Sequence, residues 1–383
     1  MSRLWVERLT LTDFRNYRSA QLTLASGPVV LVGANGAGKT NLLEAVSLLA
    51  PGQGLARASF AELARAGGEG GWAVAARLHT RDGARDIGTG LQGGASRPER
   101  AGARIVRIDG EPAGGSGALA DLVEMVWVTP AMDGLFTGPA SERRRFLDRL
   151  ILCFDPAYRA IANRFERAMQ SRNRLLADGV RDAAQLGAFE LQMAETAVAV
   201  AAARNDAVAA LRSVIAARHQ RSPDSPFPWS DLAIEGTLES DLATHSAIEV
   251  EDSYARTLAE TRERDRGAAR TLTGPHRSDL VVGHGPKAMP ARLSSTGEQK
   301  ALLLGLVLAH AELITTRRGG YAPILLFDEI TAHFDERRRA ALFDEILALG
   351  AQAWMTGTDA SAFSALQGRA AFWRVDDGAA TLL

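Results

Sequence analysis

The sequence predicts a parallel α/β core, flanked by an antiparallel β layer and interrupted by a long helical insertion. Three observations predict it. An apolar, β-branched run from Pro28 to Val32 leads through a glycine-rich loop into an amphipathic segment, Lys39 to Leu49. A second apolar run, Ile324 to Phe327, ends in two acids. Between them lie two long stretches, Ser141 to Leu176 and Gln185 to Gln220, rich in the helix formers Ala, Arg, Leu and Glu.

The elements follow in order. Arg3 to Leu11 and Gln21 to Leu24 read as strands, and Trp72 to Ile108 is strand-like in Gly- and Arg-rich surroundings. Asp109-Gly110 is a strong hairpin-turn signal. Phe146, Leu147, Leu150, Ile151 and Phe154 recur at helical spacing, so Ser141 to Leu176 is expected as one helix. Asp178-Gly179 separates it from the next, and the two form an antiparallel hairpin. The proline-broken segment Ser222 to Trp229 ends this arm. A strand near Leu232 to Leu238, a helix over Ser253 to Arg270 and a strand near Leu280 to Val282 follow. Helix Gln299 to Ile314, strand Ile324 to Phe327, helix Glu336 to Leu349 and strand Ala353 to Met355 complete an α/β pattern. A head in two halves, residues 1–140 and 271–383, is therefore expected around an inserted helical arm, residues 141–270.

Composition narrows the class. The chain of 383 residues is 46% hydrophobic and 23% charged, the balance of a protein that buries a real core. Its formal net charge is −1, so any nucleic-acid contact must come from a local positive patch. The single cysteine, Cys153, rules out an intramolecular disulfide framework and fits a reducing compartment. The first residues carry an early acid, Glu7, and no long apolar stretch, so no signal peptide is expected. The apolar run Ala301 to Ala311 is broken by His310 and too short to span a bilayer, so a cytoplasmic protein with no membrane partner is expected. Only three lysines occur, Lys39, Lys287 and Lys300, against forty-one arginines. A lysine that persists in such a chain needs a reason.

Gly33-Ala34-Asn35-Gly36-Ala37-Gly38-Lys39-Thr40 matches G-x-x-x-x-G-K-[ST] between a strand and a helix. Glycines let successive backbone N–H groups converge on phosphates, whose charge also meets the positive end of the helix that follows. Lys39 would bridge the β- and γ-phosphates, and the Thr40 hydroxyl would ligate Mg²⁺. By itself this loop implies ATP binding and no more. Asp328 and Glu329 complete a Walker B pattern: Asp328 toward Mg²⁺, Glu329 as general base on the attacking water.

Ser294-Ser295-Thr296-Gly297-Glu298-Gln299-Lys300 resembles the signature of ABC-class ATPases. A plain helix cap, Ser or Thr before an acid, has the same look. Its position about thirty residues before the Walker B strand favours the signature. In that class Ser295, Gly297 and Glu298 would face a triphosphate held by a second subunit, which implies an ATP-dependent homodimer. Asp335 stands where the class carries its D-loop. The motifs together imply an ABC-type ATPase head with an inserted α-helical arm.

Three further stretches resemble the RecF family. Phe14-Arg15-Asn16-Tyr17 is similar to its F-R-N-Y, and Lys39-Thr40-Asn41-Leu42-Leu43-Glu44 to its loop-to-helix extension. Thr129-Pro130, Gly138-Pro139 and Arg143-Arg144-Arg145-Phe146-Leu147-Asp148 resemble the block joining head and arm. Thr273 to Leu280 resembles G-P-H-R-D-D-L, with Ser278 at the first acid. The resemblance implies a weak, DNA-stimulated ATPase that dimerises with ATP and binds double-stranded and gapped DNA at single-strand/double-strand junctions. It also implies cooperation with RecR, and through RecO and RecR the loading of RecA. No histidine follows Ala353 to Met355; Thr356-Gly357-Thr358-Asp359 occupies the switch position.

Ten arginines against five acids between Ser141 and Arg181 make the arm the first candidate for DNA phosphates, with Arg143, Arg144 and Arg145 at its root. Arg57, with Arg65, Arg77, Arg81 and Arg85, is a second candidate, and Arg277 a third. No aromatic-interleaved basic motif occurs, so contact by shape and charge is expected. A transporter's nucleotide-binding subunit would share the ATP motifs but has no need of the Arg-rich arm. SMC relatives need a far longer coiled coil than Ser141 to Gln220 supplies. A scaffold in which ATP only fastens the dimer is the remaining alternative.

Overall fold

A computed structural model describes residues 3–56, 58–93, 104–332 and 334–383. The chain divides into two compact units. Residues 1–133, 224–227 and 303–383 form the first, and residues 134–223 and 228–302 the second.

The first unit holds two sheets. One is wholly antiparallel, in the order Tyr17–Thr23, Trp5–Phe14, Trp72–Thr80, Gly83–Leu91, Ile105–Ile108, Glu111–Pro112. Buried residues alternate along Trp72–Thr80, as a strand with one covered face requires. Asp109 and Gly110, at φ 51° and 85°, make the predicted tight turn. The other sheet runs Ala379–Leu382, Ala371–Asp376, Val29–Val32, Ala353–Gly357, Ile324–Phe327, Met125–Val128, parallel except for its first pair. Val29–Val32 and Ile324–Phe327 are buried throughout, the mark of strands covered on both faces. Helix Lys39–Ser47 is buried from Leu42 to Ser47 and shares one apolar core with Leu9, Leu11, Phe14, Leu326 and Trp354. Packing on this buried face sets the position of the helix and of the loop end that feeds it.

One strand and a hairpin of this sheet lie outside the predicted elements. Met125–Val128 is a short edge strand, and Ala371–Asp376 with Ala379–Leu382 turns at Asp377-Gly378. The Asp-Gly signal for that turn was present in the sequence.

The second unit is mainly helical: Ala140–Leu152, Tyr158–Ala177, Ala183–Arg221, Ala247–Glu260 and Arg262–Gly267. The expected single helix from Ser141 to Leu176 is broken between Leu152 and Tyr158. Pro156 cannot donate to the helical ladder, and Asp155 Oδ1 accepts the Ala157 amide at 3.1 Å to start the next helix. Gly179, at φ 76°, closes the second helix, and Asp182 caps the third by accepting the Ala184 amide at 2.8 Å. The helix expected over Ser253 to Arg270 begins earlier, at a Ser246–Glu249 capping box, and is split at Thr261. Helix Ala183–Arg221 is long and apolar enough to cross a membrane by composition, but half of its most apolar window is buried. It packs on Tyr158–Ala177 and Ala247–Glu260, as a core helix does.

This unit extends beyond the expected arm. Ser230–Glu235, Asp279–His284 and Met289–Pro290 form a three-stranded antiparallel sheet, whose first two strands pack on the helices. The segment up to residue 302 therefore coheres with the insertion.

Candidate nucleotide-binding site

Residues 33–40 leave the carboxyl end of Val29–Val32, and Ala353–Gly357 lies between that strand and Ile324–Phe327. All three run the same way, so their ends deliver Gly33, Thr356 and Asp328 to one edge of the sheet, where α/β proteins hold ligands. In the loop, Gly36 and Gly38 sit at φ 81° and 111°, values that residues with a Cβ rarely adopt. A Cβ on Gly33 would overlap the Val375 carbonyl oxygen of the neighbouring strand. Ala34, Asn35 and Gly36 are exposed at the loop's crest, while Ala37, Gly38 and Lys39 are buried. Lys39 Nζ donates to the carbonyls of Gly33 and Ala34, each at 2.7 Å. Burial pushes the Lys39 ammonium down from its ordinary value, while Asp328 and Glu329 pull it back up.

Thr40 and Asp328, 288 residues apart in sequence, meet here: Thr40 Oγ1 donates to both carboxylate oxygens at 3.0 Å. A hydroxyl and a carboxylate side by side are hard oxygen donors, which suits a divalent cation such as Mg²⁺. Thr356, fully buried, donates to Asp328 Oδ1 at 2.7 Å and accepts the Glu329 amide at 2.8 Å. One hydroxyl thus orients both acids. Glu329 has φ 51° and is exposed beyond the buried Asp328. A non-glycine residue in that region is held there by its surroundings, a pattern common at active sites.

The Phe14-Arg15-Asn16-Tyr17 stretch gains a physical role. Arg15 and Asn16 form the turn between Trp5–Phe14 and Tyr17–Thr23, and the turn lies against the loop. Asn16 Nδ2 donates to the Ala37 carbonyl at 3.1 Å, and its Oδ1 accepts Asn41 Nδ2 at 2.8 Å. Tyr17 donates its hydroxyl to the Gly38 carbonyl at 3.0 Å. Arg15 grips Glu44 with two bonds of 2.7 and 2.9 Å, which fixes the helix behind the loop. A Cβ on Gly38 would strike the Asn16 amide, so the loop and its brace fit only with glycine there.

Removing the Lys39 ammonium leaves this loop with no side-chain cation for phosphate. Lys39→Ala is expected to weaken ATP binding on the order of a hundredfold or more. Titration calorimetry with ATP reads this directly, and unaltered affinity would refute the loop assignment.

Ser295 and Glu298 lie in the second unit, where they cap helix Thr296–Arg317. Ser295 N and Oγ donate to Glu298 Oε2 at 3.1 and 3.0 Å, and Ser295 Oγ accepts the Glu298 amide at 3.4 Å. The plain cap that the sequence allowed is therefore present, with Ser295 exposed and Gly297 in its first turn. Asp335, exposed, caps helix Glu336–Leu349 by accepting the Arg338 amide at 2.8 Å.

The arginine candidates separate. Arg143 is committed to Asp279 through bonds of 2.8 and 2.7 Å and is 15% exposed, a structural ion pair with little left for DNA. Arg144 donates to the Ser278 carbonyl. Arg145 and Arg277 are exposed. Arg57 lies outside the described residues. Its companions are paired with acids: Arg65 with Asp13, Arg77 with Glu7 and Asp86, Arg81 with Asp82, Arg85 with Asp109. His276 is a satisfied structural residue at Nε2, 3.0 Å from the Thr271 carbonyl oxygen, and burial lowers its pKa.

The fold and the site define an ATPase head of the ABC and SMC class. A family model described as RecF/RecN/SMC N terminal domain matches residues 5–370. The chain belongs to the RecF family. It is 55% identical over 374 residues to the DNA replication and repair protein RecF of Mesorhizobium japonicum, covering 97% of this chain and 96% of that protein. The RecF of Rhizobium etli is 52% identical over 373 residues, 97% of each chain. Among solved structures, the recombination mediator protein RecF-ATPrS in the RecFOR pathway superposes with a TM-score of 0.86 at 21% identity, covering 100% of this chain and 99% of that one. The Smc head domain from Pyrococcus furiosus gives 0.55 at 17% identity, over 99% of this chain and 96% of that one.

Proposed function

We propose that this chain is an ATP-dependent DNA-binding protein of recombinational repair at replication gaps. Two copies close on ATP, bind DNA at single-strand/double-strand junctions, and with RecR and RecO promote the loading of RecA. Slow, DNA-stimulated hydrolysis then releases the dimer in the cytoplasm. Identity of 55% along 97% of this chain to a protein named for DNA replication and repair supports this reading, and so does the meeting of Thr40 with Asp328 beside the glycine-rich loop.

The residues divide the work. Backbone amides of residues 33–40 and the Lys39 ammonium would hold the triphosphate. Thr40 and Asp328 would hold Mg²⁺, which offsets phosphate charge when bound. Glu329 takes the proton of the attacking water, and Thr356 keeps that acid in place. Ser295 and Gly297 of the other copy close over the γ-phosphate, with Asp335 at the same seam. On the arm, Arg159, Arg167 and Arg174 are exposed on helix Tyr158–Ala177 and fall within about a quarter turn of one another at 3.6 residues per turn. With Arg145, exposed on helix Ala140–Leu152, they are the arginines that we assign to DNA phosphates.

Sedimentation with and without ATP, in the presence and absence of gapped DNA, tests the reading. ATP is expected to convert monomer to dimer, and gapped DNA to sediment with the dimer. Ser295→Ala is expected to abolish that conversion at saturating ATP while leaving monomer ATP affinity within about twofold, because its cap is worth only about 1 kcal/mol. Particles that stay single at saturating nucleotide with DNA present would overturn the dimer, and hydrolysis indifferent to DNA would favour a transporter-like subunit.

A further inference from the structure

Of the three lysines, Lys39 belongs to the phosphate loop and Lys300 to the signature stretch, which leaves Lys287 without a role. It lies in the short turn between Asp279–His284 and Met289–Pro290, eleven residues before Glu298. Its ammonium donates to Glu298 Oε1 at 2.6 Å, while Ser295 holds the other oxygen. The turn is itself fixed: the Lys287 amide donates to Nδ1 of the buried His284, whose Nε2 lies 4.0 Å from Glu298 Oε1. The Lys287 bond and the Ser295 amide bond hold the Glu298 carboxyl at about 2, so it is an anion at any working pH.

That anion is a problem for a phosphate site. A neutral Gln caps the helix equally well, whereas a carboxylate three residues from Ser295 repels the triphosphate that this end of the helix would receive. We propose that Lys287 is a positioning residue of the composite ATP site. It cancels the charge of Glu298 and holds that carboxylate within the Ser295 cap, so that the Ser295 hydroxyl, on exchanging its bond to Glu298 for one to phosphate, and the Gly297 amide can take the γ-phosphate held by a second copy. The role presupposes the trans signature described above.

Lys287 is half exposed, so its side chain can be changed with little effect on folding. An exposed pair of this kind accounts for roughly a threefold change per site, and a twofold dimer counts it twice, giving about tenfold in the dimer constant. The experiment is sedimentation of the full chain with ATPγS, together with nucleotide titration of the monomer. K287A is expected to weaken the nucleotide-driven dimer about tenfold with monomer affinity unchanged, and K287A/E298Q to return within about twofold of the parent. The double variant separates charge from packing, since a lysine that merely propped the turn would not be rescued by neutralising Glu298. Dimerisation of K287A at the parental strength, or a double variant no stronger than the single, overturns the role of Lys287. S295A runs alongside. If it too dimerises like the parent, the trans signature itself falls; if it fails while K287A is unchanged, only the inference about Lys287 does.

Discussion

Glu329→Gln is expected to cut ATP hydrolysis by about 10²- to 10⁴-fold, the range a positioned general base contributes. ATP binding and ATP-driven dimerisation should survive. The geometry separates the two effects because phosphate binding would draw on Lys39, the loop amides and the Thr40–Asp328 pair, to which the Glu329 carboxylate adds a charge that favours the Lys39 ammonium. The Glu329 backbone is held by Thr356, and Gln is close to Glu in shape, so the positive φ and its neighbours persist in the variant. The proton acceptor is lost, together with the charge it lends to Lys39. Phosphate release measured beside sedimentation in ATP reads both halves: turnover should collapse while the dimer, with its DNA, accumulates. Wild-type turnover would remove Glu329 from the chemistry, and a chain that holds DNA equally with or without turnover would behave as the scaffold alternative requires.

What could be read in the sequence was what lies close together along the chain. The phosphate loop and the Asp328-Glu329 pair are contiguous motifs, because a strand end, a turn and a helix start must follow one another to present amides and acids. Their meeting through Thr40 and Asp328 follows from the parallel sheet. The supporting groups were illegible for the opposite reason. Thr356 stands at the switch position in the sequence, and only strand order reveals that its hydroxyl ties Asp328 to Glu329. Asn16 carried a family likeness with no mechanism until its turn was found against Ala37 and Asn41. Arg143 illustrates the converse. A run of three arginines reads as a phosphate patch, yet one helical turn buries the first against Asp279 and leaves the third in solvent. Composition gives the charge of a segment, not which of its charges are already paired.

Pairing of that kind has its largest consequence at Arg172. This guanidinium is fully buried where helices Tyr158–Ala177, Ala183–Arg221 and Arg262–Gly267 meet. Its Nε lies 3.1 Å from Glu190, its Nη1 donates to Asp265 at 2.8 Å and Thr271 at 3.0 Å, and its Nη2 donates to the Leu258 carbonyl at 2.7 Å. Arg262, itself partly exposed, shares Glu190, so two cations and two anions balance in a largely buried cluster. Arg172→Ala deletes one cation and leaves Asp265, fully buried, with no guanidinium among its bonds. Breaking such a pair from one side costs about 3–5 kcal/mol, since the stranded charge keeps its desolvation penalty. The cost should fall on this unit, because every partner belongs to it. Hydrogen exchange at the amides of Tyr158–Ala177 and Ala183–Arg221 should therefore accelerate by about two orders of magnitude or more where opening is governed by this packing. Arg172→Ala with Asp265→Asn should recover part of the protection, because the stranded group is then neutral. Unchanged protection in the single variant would mean that the helices are held by their apolar contacts alone, and that the buried arginine serves register without adding stability.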